Sequence, residues 1–485
     1  MQEDNFVDKV ENTDLVIVGG ETTGGTAAIK ASENKNVRVT VVTKGQDIGR
    51  SGATMLAHEP LSSCVIDSQS AHQILGLKEG DPRDSPEAFF EDILITGEYL
   101  NDQEAARVIV HNAPLVAKEM ESWGFEWNRD IVDRSMGHRY PRDYYGKRAW
   151  GFQYARLIPS ILKSRSNVEI LSDSTAVDLL INDGKVSGIV IFDYESGNLV
   201  LYKCKAVILA CGGAQNLFVH ATTGRELTGD AYAMAFRAGA PIVDLEFTLF
   251  LHSIIWPEGA AHDPFALFQC FRHTGVLLNR YGQRFMEKWD PENLEQNRIM
   301  GVIATAIEIL EGRGGKHGGL YFTINHLPKN LIDYQAEWGK LKNWHELSTN
   351  YDYGQYVEWM KAGQALEMSL SAHYNEGGIK IEQPSCRTPN IKGLYAAGEA
   401  AGGADGSRRG AGTALTGAFV QGYLAAIAAT NYLEHKQQEE IDIDGLEKIR
   451  KTILLPVKKK NVEHGTAISP VEIRKRIQAA AEKGV

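Results

Sequence analysis

The alternation of apolar runs and polar turns predicts a βαβ unit near the N-terminus. An apolar run at 14–18 is followed by a glycine-rich turn, a helix rich in Ala and Gly at 22–32, and a second apolar run at 37–42. Short apolar runs bounded by turn residues are typical of buried strands. The pattern therefore predicts two parallel strands joined by a helix that begins at the turn.

The remaining pattern predicts an α/β protein with one inserted domain. Residues 85–123 have helical periodicity, and 167–209 are β-rich with turn signals between the strands. A helix is expected at 227–238. We predict a Rossmann-like first domain in two parts, 1–242 and 364–433, interrupted by an α+β covering domain at 243–363. A short helical C-terminal tail is predicted at 434–485.

Composition and charge exclude several classes of function. The 485 residues carry a net charge of −11, which argues against binding through nucleic-acid phosphates. No apolar run is judged long enough to cross a bilayer, and the acidic N-terminus does not resemble a secretory signal. The five cysteines are scattered, which excludes an iron–sulfur cluster of the usual spacing and a disulfide framework. We expect a cytoplasmic protein with no metal site.

The N-terminal glycine motif has the outline of a dinucleotide site. Gly19 and Gly24 take the first and last positions of G-x-G-x-x-G, where backbone amides and a helix N-terminus face a pyrophosphate. The middle position is Glu21, whose carboxylate is expected to crowd and repel the phosphates. Thr43 and Lys44 stand where an acid usually ends the second strand. Taken alone, this motif also fits a turn that binds nothing.

A C-terminal block makes a flavin site the stronger interpretation. Glu399 follows a predicted strand and a tight glycine turn, where its carboxylate can accept a ribityl hydroxyl. Residues 412–415 begin a helix, whose amides and dipole can stabilise negative charge on a reduced flavin. The alternative is a glycine-rich loop between packed elements, which explains the glycines but not the acid and the helix start together.

With these two glycine-rich segments, the chain resembles the succinate dehydrogenase/fumarate reductase flavoprotein superfamily. This superfamily includes L-aspartate oxidase and adenylylsulfate reductase flavoprotein subunits. The resemblance extends over nearly the whole chain. It rests on co-linear motifs, which are GRSGATMLA, GHRYPR, ACGG, TGDAYAMAFRAGA, GVLLNRYGQRFM, SAHYNEGGI and the block after GLYAAGE.

The resemblance implies a set of FAD contacts. Covalently flavinylated members carry a linking His where this chain has Gly52, so non-covalent FAD is expected. The sequence RSGAT at this place is closer to the adenylylsulfate reductase branch. The implied FAD contacts are Gly19, Gly24, Thr43, Lys44, Ser51, Gly52, Asp230, Glu399, Ala414 and Leu415.

On the substrate side the match to the family is mixed. His373 and Arg409 match the family's substrate His and Arg, and Arg298 is a looser match to its proton-shuttling Arg. The family's other His position is Leu251 here, with His252 displaced by one residue, and its Thr-Glu pair aligns with Leu267-Phe268. Loss of these polar groups makes succinate and fumarate poor candidates.

The implied function is hydride transfer between the flavin N5 and a small anionic substrate. An alternative is the flavoprotein subunit of an electron-transfer complex, in which a second polypeptide carries the iron–sulfur clusters. A third is a flavin-fold protein that has lost its cofactor, which Glu21 favours. His138, Tyr144 and Trp150 are interpreted as packing residues, and Arg408 as an ion-pair partner.

Overall fold

The computed structural model divides the chain into two compact units. It describes residues 7–54, 63–148, 150–257, 275–296, 298–333, 358–359, 361–364, 366–434, 436–451 and 470–481. The first unit comprises 1–214, 224–248 and 375–469, and the second comprises 215–223, 249–374 and 470–485. These bounds differ from the predicted ones at 242/243 and 363/364, and residues 470–485 join the second unit. The assignment of the units as FAD-binding and covering domains stays a prediction.

Helices and strands alternate along most of the described chain. The strands are β1 (Lys9–Asn12), β2 (Leu15–Val18), β3 (Val39–Val42), β4 (Cys64–Val65), β5 (Asp143–Tyr144), β6 (Val168–Leu171), β7 (Ser174–Asn182), β8 (Lys185–Asp193), β9 (Leu199–Lys203), β10 (Ala206–Leu209), β11 (Ile242–Val243), β12 (Thr248–Trp256), β13 (Val276–Leu278), β14 (Leu320–Thr323), β15 (Leu366–Asn375), β16 (Gly378–Ile379) and β17 (Leu394–Ala396). The helices are α1 (Thr22–Ala31), α2 (Ser68–Leu75), α3 (Pro86–Thr96), α4 (Gln103–Ser122), α5 (Trp150–Leu162), α6 (Asp230–Ala238), α7 (Met286–Trp289), α8 (Arg298–Leu310), α9 (Thr413–Leu433), α10 (Ile443–Ile449) and α11 (Pro470–Ala481).

A five-stranded parallel sheet forms the core of the first unit. Its strand order is β17-β10-β2-β3-β6, and each neighbouring pair runs parallel. Leu15, Val16 and Ile17 have no solvent exposure, as expected for a strand covered on both faces. The predicted parallel pair and its connecting helix are therefore confirmed. Parallel strands bring their carboxyl ends to one edge, where α1 and the turn after β17 begin.

The helical stretch predicted at 85–123 is two helices. Ser85 begins α3 by accepting a hydrogen bond from the amide of Ala88, and Asp102 begins α4 by accepting from the amides of Glu104 and Ala105. Between them the chain turns through Glu98 and Tyr99, which both have positive φ angles, of 56° and 60°. Two N-cap side chains thus set the boundary that hydrophobic periodicity alone does not reveal.

Helix α9 is a long apolar helix of the core. In the described part of the chain it alone has the length and mean hydropathy, 1.2, of a membrane span. The expectation that no apolar run reaches this length is therefore wrong. Half of the apolar window is buried within the protein, where α9 packs against α1 and α4. This burial identifies α9 as a core helix.

The second unit contains a four-stranded sheet of order β12-β15-β14-β13. Strands β13, β14 and β15 pair in antiparallel register. Helix α8 contributes Thr305, whose hydroxyl lies 2.9 Å from Nε2 of His252 on β12. Both residues are buried, so this contact belongs to the interior of the unit.

Candidate functional site

Packing against neighbouring backbone explains both glycines of the N-terminal turn. Gly19 follows β2 with a φ of +110°, and a Cβ there would lie 2.3 Å from the carbonyl oxygen of Ala210. A Cβ on Gly24 would lie 1.9 Å from the carbonyl oxygen of Gly19. A larger residue at Gly19 would therefore push against the backbone that follows β10, and one at Gly24 would push α1 away from the end of β2. The turn therefore has the geometry that the dinucleotide motif predicts, with α1 starting directly above it.

Glu21 is the N-cap residue of α1, and its side chain bonds to the segment after β3. Its Oε1 accepts hydrogen bonds from the amide and the hydroxyl of Ser51, both at 2.8 Å. Its Oε2 is buried and makes no hydrogen bond of ordinary geometry. Burial raises the pKa of Glu21 to about 7, and the charge of Glu226 adds to the shift. The carboxyl group of Glu21 therefore holds Ser51 in place, and the predicted crowding of a phosphate stays a prediction.

Several other predicted FAD contacts lie close together around this segment. The hydroxyls of Thr43 and Ser51 are 3.3 Å apart. Lys44 forms an ion pair with Asp230, and its Nζ donates to the hydroxyl of Thr228 at 2.7 Å. Gly52 has a φ of +62°, which favours glycine over a linking histidine. The segment 43–52 and the start of α6 therefore form one polar cluster.

Glu399 is fixed by backbone donors from two other segments. Its Oε2 accepts from the amide of Gly213 at 3.2 Å, and its Oε1 accepts from the amide of Asn375 at 3.0 Å. Gly398 precedes it with a φ of +64°, so the predicted tight turn after β17 is confirmed. Carboxylate oxygens accept more than one hydrogen bond each. A ribityl hydroxyl therefore remains a compatible further partner.

The N-terminus of α9 has no side-chain cap. Gly412 is its N-cap residue with a φ of +83°, and a Cβ there would lie 2.8 Å from Cγ1 of Val65. Ala414 and Leu415 lie in the first turn, as the sequence predicts. Amides at an uncapped helix start are donors with a positive dipole end. This end of α9 can accept an anionic or electron-rich group.

The loop before α9 is held from several sides. Nη2 of Arg408 lies 2.7 Å from Oε1 of Glu98, which fits its interpretation as an ion-pair partner. Nε2 of His138 lies 2.7 Å from the carbonyl oxygen of Ala411, and burial lowers the pKa of this histidine. His138 therefore has the structural role that we favoured from the sequence, and it braces the loop before α9.

Arg409 is buried in the same loop. It is 9% exposed, and its Nη1 donates to the carbonyl oxygen of Gly410 at 3.3 Å. Burial raises the pKa of Asp405 to about 6, and the positive charge of Arg409 opposes this shift. Asp405 is thus a counter-charge to Arg409 that the motif comparison did not reveal. In the sequence, the only indication of this pairing is that Asp405 stands four residues before Arg409.

The second unit carries the other two predicted substrate residues. Nδ1 of His373 on β15 lies 2.7 Å from the hydroxyl of Thr222, so this contact fixes the orientation of the ring. Helix α8 begins at Arg298, but the side chain of this residue lies outside the described part of the chain. Sequence reasoning missed Thr222, which has no motif of its own.

The displaced histidine of β12 lies in the interior. Leu251 and His252 are each 2% exposed, and burial lowers the pKa of His252 to about 4. Side chains alternate between the two faces of a strand, so the one-residue displacement turns the imidazole to the opposite face. The Leu267-Phe268 pair lies outside the described residues.

The predicted packing residues are buried. Tyr144 and Trp150 have no solvent exposure, and the ring of Trp150 stacks 5.9 Å from those of Tyr154 and Phe419. These aromatic contacts join α5 to α9. Tyr144 and Trp150 therefore pack in the core, as the sequence suggested.

The residues of the first unit fit FAD in all but one respect. Neither α1 nor α9 is capped by the side chain of its own N-cap residue, so both helix starts offer amide donors, although the amide of Thr22 already donates to Thr54. Lys44, Ser51 and, separately, Glu399 supply polar partners. The exception is Glu21, because its ionised carboxylate would face a diphosphate at the same helix start.

Comparisons with known proteins match the chain to FAD-binding proteins. The FAD binding domain model matches residues 14–415. An uncharacterised FAD-dependent oxidoreductase of Methanocaldococcus jannaschii is 30% identical over 89% of this chain and 74% of its own length. A subunit of the fumarate reductase (CoM/CoB) of Methanothermobacter marburgensis is 30% identical over 86% of this chain and 72% of its own length.

Solved structures share the architecture. Mycobacterium smegmatis Sdh1 in complex with UQ1 has a TM-score of 0.81 at 26% identity, covering 98% of this chain and 77% of that chain. Adenylylsulfate reductase from Archaeoglobus fulgidus has a TM-score of 0.69 at 20% identity, covering 99% of this chain and 80% of that chain. At 20% identity, the likeness to adenylylsulfate reductase shows a shared fold and nothing more.

Proposed function

Since the chain belongs to the FAD-dependent oxidoreductases of the succinate dehydrogenase/fumarate reductase flavoprotein superfamily, we propose that it exchanges a hydride with a small anionic substrate. FAD, when bound, supplies the two-electron chemistry of this exchange. The observation that best supports an anionic substrate is the burial of Arg409, which is 9% exposed just before the uncapped start of α9. A guanidinium and a helix N-terminus both favour a negative group.

Each proposed catalytic residue has a distinct task. Arg409 holds the substrate anion, because its planar guanidinium can bind a carboxylate or similar group through two hydrogen bonds. His373 orients the substrate, with its own ring fixed by Thr222. Arg298 delivers or removes a proton, a role that rests on its motif and requires desolvation to lower its high pKa.

Succinate and fumarate are disfavoured as substrates. The buried Leu251 offers no hydrogen bond at the position where the family has a histidine. A dry site without that donor leaves a second carboxylate unpaired, and burial of an unpaired charge costs far more than burial of an unpaired neutral polar group. We therefore propose that the substrate is a small anion, similar in size to the substrates of the family, whose binding needs no hydrogen bond from this position.

A panel of acceptors tests the proposal. The purified holoprotein is reduced under anaerobic conditions and mixed with small organic and inorganic anions, while flavin absorbance reports re-oxidation. At least one anion should re-oxidise the flavin with saturation, and its neutral ester or amide should not. Equal rates with the charged and neutral forms would contradict an arginine-held anion.

A second candidate function is that of an electron-transferring subunit. Among the described residues, no group of His, Cys, Asp and Glu has the arrangement to hold a metal, and the four described cysteines are free. The Methanothermobacter relative is itself named as a subunit. We propose that an iron–sulfur partner carries electrons to or from this chain in the cytoplasm. Purification from the native source should then yield a brown, cysteine-rich second polypeptide, and a lone yellow chain would argue against it.

A further inference from the structure

Glu21 occupies a glycine position of the dinucleotide motif, yet its side chain is integrated into the first unit. It accepts two hydrogen bonds from Ser51, and its Cγ lies 3.3 Å from where a Cβ on Gly52 would stand. Ser51 and Gly52 are both expected FAD contacts. The carboxyl group therefore connects the start of α1 to the flavin segment, which a glycine could not do.

One oxygen of this carboxyl group is left without a well-placed donor. Oε2 is buried and makes no hydrogen bond of ordinary geometry, although Oε1 has two. The nearby Thr54 hydroxyl lowers the pKa of Glu21, but burial, which raises it, is the larger effect. Burial penalises the charged form of a carboxyl group far more than its neutral form, above all where one oxygen lacks a well-placed donor. The geometry thus favours the neutral acid over the carboxylate even before any phosphate is present.

The surrounding charges do not compensate an ionised Glu21. Glu226 is the charged neighbour that acts on it, and it is negative. Lys44 is engaged by Asp230 and by the carbonyl oxygen of Glu226, and Arg50 pairs with Asp47 in the same segment. On the α1 side the group that acts on Glu21 is the uncharged hydroxyl of Thr54, which also accepts a hydrogen bond from the amide of Thr22. A diphosphate at the start of α1 would add further negative charge.

We propose that Glu21 is a proton-linked positioning residue, which holds Ser51 and Gly52 in place and must be neutral when FAD is bound. This inference rests on the proposed function in that FAD is the ligand. Its consequence is that FAD binding takes up a proton wherever free Glu21 is ionised. Because burial raises the pKa of free Glu21 to about 7, the linkage falls within the physiological range.

The sign of the effect follows from linkage. Below about pH 7 Glu21 is already neutral in the free protein, so FAD affinity should not depend on pH. Above that pH the proton must be taken up, and the Kd for FAD should rise by up to about tenfold per pH unit. The diphosphate of FAD stays ionised over this range and cannot produce the slope.

Titration of the apoprotein with FAD tests the proposal. Kd is measured between pH 6 and 8.5 by quenching of flavin fluorescence, and proton uptake is measured by calorimetry at pH 8 in buffers of different ionisation enthalpy. The wild type should show the slope and uptake approaching one proton. Glu21→Gln should remove both, while keeping FAD affinity within about threefold of the wild type at pH 6.

Two control variants separate the proton from the anchor. Ser51→Ala should weaken FAD binding at every pH and keep the slope. Glu226→Gln should keep the slope but move its onset to lower pH, because a negative neighbour has been removed. An equal slope in the wild type and Glu21→Gln, or no proton uptake in the wild type, would overturn the proposal alone. Failure of every form to bind FAD would overturn the cofactor assignment as well.

Discussion

Replacement of Arg409 tests the assignment of the substrate anion more directly than any other change. Arg409→Ala removes a guanidinium that is 9% exposed and lies beside the loop leading into α9. If it holds the substrate through two charge-assisted hydrogen bonds, their loss is worth about 3–6 kcal/mol before water replaces part of it. A net loss of about 3–4 kcal/mol corresponds to a factor of roughly 10²–10³ in kcat/KM per bound flavin.

The same variant has a bounded effect on stability. Asp405 loses its counter-charge, but it can take up a proton. With a pKa of about 6, its protonation at pH 7 costs about 1.4 kcal/mol, which caps the added penalty. The fold and the flavin spectrum should therefore survive. The pKa of Asp405 should rise further in the variant, so any residual destabilisation should increase from pH 6 to pH 8.

Arg408→Ala is the matched control. Its ion pair with Glu98 is partly exposed, with 29% and 54% of the two side chains accessible, and exposed pairs contribute about 0–1 kcal/mol. Activity per bound flavin should change by less than about twofold. Arg409→Lys should lie between the two, because a lysine retains the charge without the planar pair of donors. A normal value per flavin in Arg409→Ala, or equal losses in both alanine variants, would refute the reasoning.

Further outcomes are expected from the same site. Acid precipitation should release all the flavin, since Gly52 offers no linking side chain, and colour in the pellet would contradict this. Steady-state turnover of succinate and fumarate should fall well below the typical rate of about ten per second, because Leu251 replaces a polar group. His373→Ala should lower turnover per flavin by about a hundredfold, and Thr222→Val by less, since it only releases the ring; the flavin spectrum should be unchanged in both. Glu21→Gly should tighten FAD binding above pH 7, where a charge worth about 1 kcal/mol is removed, and weaken it below pH 7, where only the Ser51 anchor is lost; titration at pH 6 and 8 checks the change of sign.

Local pattern was sufficient to predict the parallel core. The strands at Leu15–Val18 and Val39–Val42 are short apolar runs, and the helix between them starts where the glycine turn predicts. The start of α9 after Gly412 could also be predicted, because an acid, a glycine-rich loop and a helix of small residues follow one another within a short stretch of sequence. These features depend on neighbours in sequence, which a pattern records.

The features that could not be predicted depend on particular contacts. The turn at Glu98 and Tyr99 interrupts a stretch whose apolar periodicity is helical, and periodicity does not record the backbone hydrogen bonds, such as that from the amide of Tyr99 to the carbonyl oxygen of Leu94, that close it. The electrostatic interaction of Asp405 with Arg409 and the contact of Thr222 with His373 likewise join a motif residue to one outside any motif. A motif identifies the residue that does the chemistry but not the residue that positions it.

Two departures from the family pattern differ in physical kind, and they affect different ligands. The displacement of His252 is a change of register on a strand, so the imidazole faces the interior and no side-chain rotation can return it. Glu21 instead adds a group to a turn, and a single proton can cancel its charge while its contact with Ser51 persists. The first departure should therefore alter which substrate is accepted at every pH, without changing FAD affinity. The second should alter FAD affinity in a pH-dependent way and leave substrate choice unchanged, so the two effects can be measured independently in one protein.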